Sequence, residues 1–219
     1  ITRATEVNFE DGDRIGFTMT KVNDAEAYAS NRCLTFGGGV FSGDLMWYAD
    51  AYSEADVYAY YPYSESGTPT AYFAVEDQTD GIAKADLMAA VKKGVLPTPN
   101  AITMVFKHLM TKLVINIDNQ SGAEVTGVEI GGCRLVTGLD ISEMALTKYT
   151  DIVIEAEPLI KAYEATAGKV WQAIVIPDKA KLEIIVNLSN GKKITQPLAE
   201  MTLKSGGQYT INARLLQDN

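Results

Sequence analysis

The chain has 219 residues, 47% of them hydrophobic and 21% charged. That composition excludes an intrinsically disordered chain and is enough to bury a sizeable core without metals or disulfides. A formal net charge of −9 argues against nucleic-acid binding, which wants a basic face, and no run approaches the roughly 18 apolar residues of a membrane-spanning helix.

Ile, Val and Thr together number 52, which leans toward strands. Taken in chain order, residues 14–21 read as a strand after the turn-rich Glu10-Asp11-Gly12-Asp13. Gly37-Gly38-Gly39 lacks the Lys-Ser/Thr of a phosphate loop and reads as a hairpin tip or a bend. Residues 45–48, 56–61 and 70–76 are the next strands, with the turn formers Ser64-Glu65-Ser66-Gly67-Thr68-Pro69 between the last two. Residues 83–93 read as the one helical stretch of the first half, with Leu87, Met88 and Val91 on one side. Residues 102–106, 113–117, 125–130, 151–155, 170–176 and 182–188 are strand-like, and Asn190-Gly191 signals a hairpin into 193–198. Gly206-Gly207 opens the last strand, 208–216, where Tyr209, Ile211, Ala213 and Leu215 alternate with Thr210, Asn212 and Arg214. Many short strands with few helices predict a mainly β chain of sandwiches, because a parallel βαβ sheet needs a helix between most strand pairs.

The charge divides the chain. Residues 1–98 carry 7 Lys+Arg and 15 Asp+Glu, whereas residues 99–219 carry 12 and 13. Eight of the 11 tyrosines also fall in the first part. The expectation is an acidic, Tyr-rich domain over 1–98 and a second over 99–219, joined at Leu96-Pro97-Thr98-Pro99-Asn100, whose prolines hold the chain extended. Cys33 and Cys133 fall one in each part and read as unpaired, largely buried thiols, with an interdomain disulfide as the alternative. Ile1 opens the chain without an initiator Met or signal peptide, which reads as a mature or trimmed product.

Motifs for chemistry are scarce. His108 is the single histidine, so any Ser-His-Asp or Cys-His arrangement has to use it. Set among Phe106, Leu109 and Met110, it reads as a packed, hydrogen-bonded residue. A zinc site needs more nitrogen or sulfur ligands than one His and two distant Cys supply. Glu10-Asp11-Gly12-Asp13 lacks the ligand spacing and distal Glu of a calcium loop and reads as a solvated turn. No catalytic residue, metal or cofactor is expected. One concentration stands out: Trp47, Tyr48, Tyr52, Tyr58, Tyr60, Tyr61, Tyr63 and Tyr72. In a strand, Tyr58 and Tyr60 share one face and Tyr61 and Tyr63 the other. Trp47, Tyr58, Tyr60, Tyr61 and Tyr63 are therefore either a stacking surface for a sugar or partner protein, or core and interdomain packing.

Thr2-Arg3-Ala4-Thr5-Glu6, followed by Phe9-Glu10-Asp11-Gly12-Asp13-Arg14-Ile15-Gly16, resembles the opening of fimbrillin-like proteins of Bacteroidales. Val57-Tyr58-Ala59-Tyr60-Tyr61-Pro62-Tyr63 resembles that family's aromatic strand. Phe73-Ala74-Val75-Glu76-Asp77-Gln78 and Ala85-Asp86-Leu87-Met88-Ala89-Ala90 resemble its next two blocks. Phe106-Lys107-His108-Leu109-Met110-Thr111-Lys112-Leu113 resembles the block that opens the second domain, and Gly206-Gly207-Gln208-Tyr209-Thr210 is similar in a less specific way.

The resemblance implies two tandem transthyretin-like, Greek-key β-sandwich domains. It implies export through the periplasm as a lipoprotein to the outer membrane and cell surface, although the lipid-bearing cysteine and leader are not in this sequence. The implied role is non-enzymatic: a structural or adhesive pilus subunit whose partners are other subunits, bound by β-strand exchange. The candidate donor strand carries Tyr209, Ile211, Ala213 and Leu215, and Arg3 is the candidate processing site, with a cut after Arg14 or Arg32 as the alternative. The competing function is a surface lipoprotein that binds a glycan or host protein and never polymerises. For the domain boundary, limited proteolysis is expected to cut first near residues 96–100 or in exposed loops; an early cut within 56–61 would count against it.

Overall fold

The structure, a computed structural model, describes residues 9–148 and 158–216. Arg3, the Thr2–Glu6 block and the strand expected at 151–155 lie outside the described residues. In the first half the strands are β1 (Arg14–Lys21), β2 (Ala29–Gly37), β3 (Val40–Ser42), β4 (Ala55–Tyr61), β5 (Ala71–Phe73), β6 (Met88–Val95) and β7 (Lys107–His108). In the second they are β8 (Thr111–Gln120), β9 (Val125–Gly131), β10 (Val136–Asp140), β11 (Ala145–Thr147), β12 (Ile160–Lys161), β13 (Tyr163–Thr166) and β14 (Val170–Val175). Then come β15 (Lys179–Ala180), β16 (Glu183–Leu188), β17 (Lys193–Pro197), β18 (Met201–Thr202) and β19 (Gln208–Leu216). The protein is mainly β, as its pattern of short strands and turns predicts.

A six-stranded antiparallel sheet of order β3-β2-β1-β4-β6-β7 forms the first half. Gly38 and Gly39 make the two-residue tip between β2 and β3, both with positive φ (60° and 87°). Such a turn matches strand twist and suits glycine. Strand β4 lies inside this sheet and is buried on both faces. Ala55, Val57, Ala59 and Tyr61 enter one core, with Phe17, Met19, Leu34 and Met88, while Tyr58 and Tyr60 enter a second on the opposite side. Tyr58 and Tyr60 thus share one face and Tyr61 takes the other, as expected; Tyr63, expected beside Tyr61, lies beyond the strand, which ends at Tyr61.

The second half is a sandwich. One sheet has order β12-β9-β16-β17 and the other β13-β14-β8-β19. Leu113 and Ile115 of β8, Trp171 of β14 and Ile211 and Leu215 of β19 face Val128, Ile130, Ile184 and Val186 of the opposing sheet. This face-to-face apolar packing is the stabilising element of a β-sandwich. Strand β19 joins in parallel, matching β8 from Gln208↔Lys112 to Leu216↔Gln120. Among the described residues it has a partner strand on one side only, at the end of the order β13-β14-β8-β19.

The halves meet in a third cluster that includes Tyr60, Leu87, Ala89, Leu109, Met110, Leu139, Ile174 and Ile176. Strand β5 of the first half also pairs with β10 of the second, Val136↔Phe73 to Gly138↔Ala71. Gln78, 1% exposed, crosses the junction. Its Nε2 donates to Ile174 O (2.8 Å) and Val75 O (2.9 Å), and its Oε1 accepts from Ile174 N (2.8 Å).

Three expectations are corrected. Residues 83–93 are not a helix: a 3-10 turn at Ala83–Ala85 leads into β6. Leu87 and Ala89 enter the junction cluster while Met88 enters the first core, so burial on both faces produces an apolar run without strand alternation, and pairing with β4 overrides helix propensity. Residues 45–48 and 102–106 are not strands; they lie unpaired across the first core, to which Leu45, Trp47, Ile102, Met104 and Phe106 contribute. Replacing Gln78 by Leu strands the Ile174 N–H and C=O in a buried site and is expected to cost about 2–4 kcal/mol in urea unfolding. A loss below about 1 kcal/mol would show that the junction does not depend on this amide.

Candidate functional site

The apolar face of the first sheet that points away from the second half is covered by no second sheet among the described residues. The unpaired 43–48 and 100–106 segments lie over it and leave a cleft of about 470 Å³. Its wall is aromatic. The Phe9 ring lies 4.8 Å from that of Phe41, 5.2 Å from Phe106 and 5.6 Å from Tyr61, each edge to face, the favoured geometry for aromatic pairs. Phe9 is the first described residue, so the N-terminal end of the described chain enters the cleft.

The tyrosines of the candidate contact surface are dispersed. Tyr60 is 1% exposed, and its hydroxyl donates to Asn31 Oδ1 (2.7 Å) and to the carbonyl of Gly67 (3.1 Å). Its ring lies directly over Gly16, where a Cβ would come within 2.2 Å of Tyr60 Cε1; the glycine of the Arg14-Ile15-Gly16 stretch is a requirement of close approach. Tyr61 is buried on the opposite face and donates to Asp13 Oδ1 (3.2 Å). Tyr58 is half-buried at the junction, and Tyr63 is half-buried beneath the Arg14 guanidinium, 5.6 Å from the ring centre. The half-buried Trp47 donates from Nε1 to Thr98 O (2.9 Å) and packs against the first core. These five residues do not form one exposed platform.

Residues 99–108 stay with the first sheet: β7 pairs with β6 through Met88↔His108 and Ala89↔Lys107. His108 Nδ1 lies 2.8 Å from Asp86 Oδ2, the two side chains 10% and 13% exposed. His108 Nε2 is buried with no hydrogen-bond partner among the described residues, so no hydroxyl or thiol completes a catalytic triad there. Cys33 and Cys133 are free thiols, and burial pushes the Cys133 thiol up to about 12, away from reactivity. Among the described residues no group of three or more His, Cys, Asp or Glu is placed to hold a metal, and no helix is long and apolar enough to cross a membrane.

The candidate donor strand is a full member of its own sheet. Ile211, Ala213 and Leu215 are buried, and Tyr209 donates its hydroxyl to Thr202 O (2.8 Å). On its outer face Asn212 accepts from Asn116 Nδ2 (2.9 Å), and Arg214 Nε lies 3.2 Å from Asp118.

Residues 2–219 match the model of the fimbrillin-like family. The chain belongs to that family. No curated protein matches it. Among solved structures it is similar to a candidate cell adhesion protein from Bacteroides uniformis, with TM-score 0.72 and 23% identity over 96% of this chain and 90% of that one. A second candidate cell adhesion protein, from Bacteroides ovatus, aligns with TM-score 0.72 and 21% identity over 97% of this chain and 84% of that one. A fimbrial protein from Bacteroides ovatus aligns with TM-score 0.60 and 19% identity over 97% of this chain and 46% of that longer one. At these identities the likeness shows a shared fold: this fimbrillin-like chain is built as a β-sandwich protein.

Sequence reading missed Gln78, Asn31 and Asp86 as structural keys, because each acts across a long separation in the chain. It also passed over Tyr28, which joins the aromatic end of the first sheet by meeting the Tyr48 ring edge to face at 5.4 Å.

Replacing His108 by Ala is expected to cost about 1–3 kcal/mol by leaving Asp86 without its ring partner; loss of a defined hydrolytic activity at unchanged stability would overturn a structural role. The tyrosines give a pH prediction. Burial, aided by Asp13, pushes the Tyr61 hydroxyl up to about 12. Burial also pushes Tyr72, whose hydroxyl donates to Ala85 O, and Tyr60 upward. A raised folded-state pKa favours the protonated form, so this stability is present below pH ~10 and lost as pH rises toward 12. Tyrosinate absorbance should show these hydroxyls ionising after the exposed ones and together with unfolding; a single class titrating near pH 10 in the folded protein would contradict the buried arrangement.

Proposed function

We propose that this fimbrillin-like protein is a structural or adhesive subunit of a cell-surface pilus, assembled by β-strand exchange after export through the periplasm to the outer membrane. Its role in this reading is non-enzymatic, and its partners are other subunits. The observation that carries the proposal is the half-covered apolar face of the first sheet. A sheet face roofed by unpaired segments and plugged by Phe9 offers apolar contacts to an inserted strand, which would take its main-chain partners from a terminal strand of that sheet, β3 or β7. Strand β19 is the proposed donor, with Tyr209, Ile211, Ala213 and Leu215 as the inserting set. Among the described residues it has a single neighbouring strand, so withdrawing it breaks one described ladder.

Arg3 remains the proposed processing site; because Phe9 lies after it, the alternative cuts after Arg14 or Arg32 are the ones that would also release the Phe9 plug. The division into 1–98 and 99–219 belongs to the same proposal: 96–100 is its cleavable joint, and 99–108 is a strap that the second unit lends to the first sheet. A second reading, a surface protein that binds a glycan or host protein without polymerising, is favoured by the nine-residue register that holds β19 in its own sheet.

Replacing Ile211 and Leu215 by Asp, or deleting 208–219, is expected to abolish polymer ladders on gels. A folded variant that still polymerises would remove β19 as the donor. Because both residues are in the second core, a staple tests the same point in a folded protein. Asn116→Cys with Asn212→Cys, whose native side chains already touch, should block polymerisation when oxidised and restore it on reduction. Polymerisation with the staple closed would favour the other reading.

A further inference from the structure

The turn after β1 and the loop before β4 meet at one end of the first sheet, where Val22 N donates to Glu54 O (2.8 Å). There the ring of Tyr28 stands edge-on to that of Tyr48, and Lys21 Nζ lies 5.3 Å from the centre of the Tyr48 ring. The loop is tied down by polar contacts. Asp50 accepts from the Tyr52 amide (3.0 Å) and the Ser53 hydroxyl and lies 3.2 Å from Lys21 Nζ, while Tyr48 donates its hydroxyl to Ser53 O. These bonds, that of Ser53 first, hold the Asp50 carboxyl well below the usual carboxylate range. Beneath the loop, Trp47 anchors it through Thr98 O.

Despite this fixation Tyr52 is 93% exposed, Met46 76% and Tyr28 51%. Singly exposed apolar side chains are ordinary on a protein surface; here two exposed rings stand on segments that meet at the same end of the sheet, and the loop bearing Tyr52 is hydrogen-bonded in place. We propose that this loop end, with Tyr28 and Tyr52 as its stacking rings, binds a neutral polysaccharide. A Tyr ring presents an apolar face to the C–H side of a sugar and a hydroxyl to its rim. Asp24, Asp50 and Glu54 all act electrostatically on the Tyr48 hydroxyl, and carboxylates accept hydrogen bonds from sugar hydroxyls. The same carboxylates repel sulfated, sialylated and uronic chains. Charged groups are interspersed with the rings, which suits a hydroxyl-rich ligand better than the charge-depleted core of a protein interface. Because the loop is already ordered, binding costs little conformational entropy. The site stands without polymerisation; repetition along a pilus, which rests on the proposed function, adds avidity for a repeating polymer.

The test is affinity electrophoresis of the monomer in gels containing α-mannan, a β-glucan, a galactan or heparin, with poly-lysine titrated separately. Wild type should be retarded by at least one neutral polysaccharide and not by heparin. Tyr28→Ala/Tyr52→Ala should weaken that binding about tenfold or more with a melting temperature lowered by no more than about 2–4 °C, as expected from loss of the Tyr28–Tyr48 ring contact, and Tyr52→Trp should retain it. Absence of retardation by every neutral polysaccharide, or equal retardation of the double variant, overturns the site. Binding of poly-lysine alone, lost in the double variant, also overturns it by assigning the surface to a basic protein. The double variant should still form polymer ladders if wild type does, so the outcome is read independently of strand exchange.

Discussion

The side-chain amide of Gln78 replaces a missing piece of β-sheet. Strand β13 stops pairing with β14 at Tyr163↔Gln172, so the outward N–H and C=O of Ile174 need other partners at a buried position. One primary amide supplies both a donor and an acceptor at the required spacing. The Gln78 backbone is itself held by Lys161 O, and Asp77 bridges to Lys161 in parallel. The segment from the first half is thereby built into the second at the point where the junction cluster has to close. Without that clip, the apolar contacts of Leu109, Met110, Ile174 and Ile176 would sit beside unsatisfied backbone.

The arrangement of β4 follows from the same closure. A central strand buried on both faces needs apolar cover on both sides, and here one cover comes from the first half and the other from the junction. Tyr60 shows how tightly that is specified. Its ring fits only because residue 16 has no side chain, and its hydroxyl reaches Asn31, which sits at positive φ (46°) beside the irregularity between β1 and β2. The two halves therefore stabilise each other through one strand, while the far face of the first sheet keeps only a partial roof.

Elements whose instructions are local were legible. The first and last strands, 14–21 and 208–216, alternate or follow clear turns, and they have those bounds in the structure. Gly37-Gly38-Gly39 read as a hairpin tip or a bend, and Gly38 and Gly39 form the tip with two successive positive φ values. The β6 region misled because burial on both faces erases the period that separates strand from helix. Strand β2 carries Asn31, Arg32 and Cys33 in its middle and shows no clean alternation until its pairing with β1 is known. In the site, the tyrosines were visible as a concentration, but their division between core, junction and surface is set by tertiary neighbours. The Asp50-centred loop that exposes Tyr52 has no periodic signature at all.

The parallel register of β19 against β8 has a mechanical meaning. Strand β8 begins at Thr111, next to the junction with the first half, and β19 ends at Leu216, at the far end of the same pair. Tension drawn between the first half and the C-terminal end pulls the two strands past each other along their length. Every rung of the ladder then bears load at once and must break together, whereas tension at adjacent ends would peel them apart one at a time. A protein built this way resists axial pull most strongly through that strand pair, and the lifetime of the ladder under load sets how long the molecule holds.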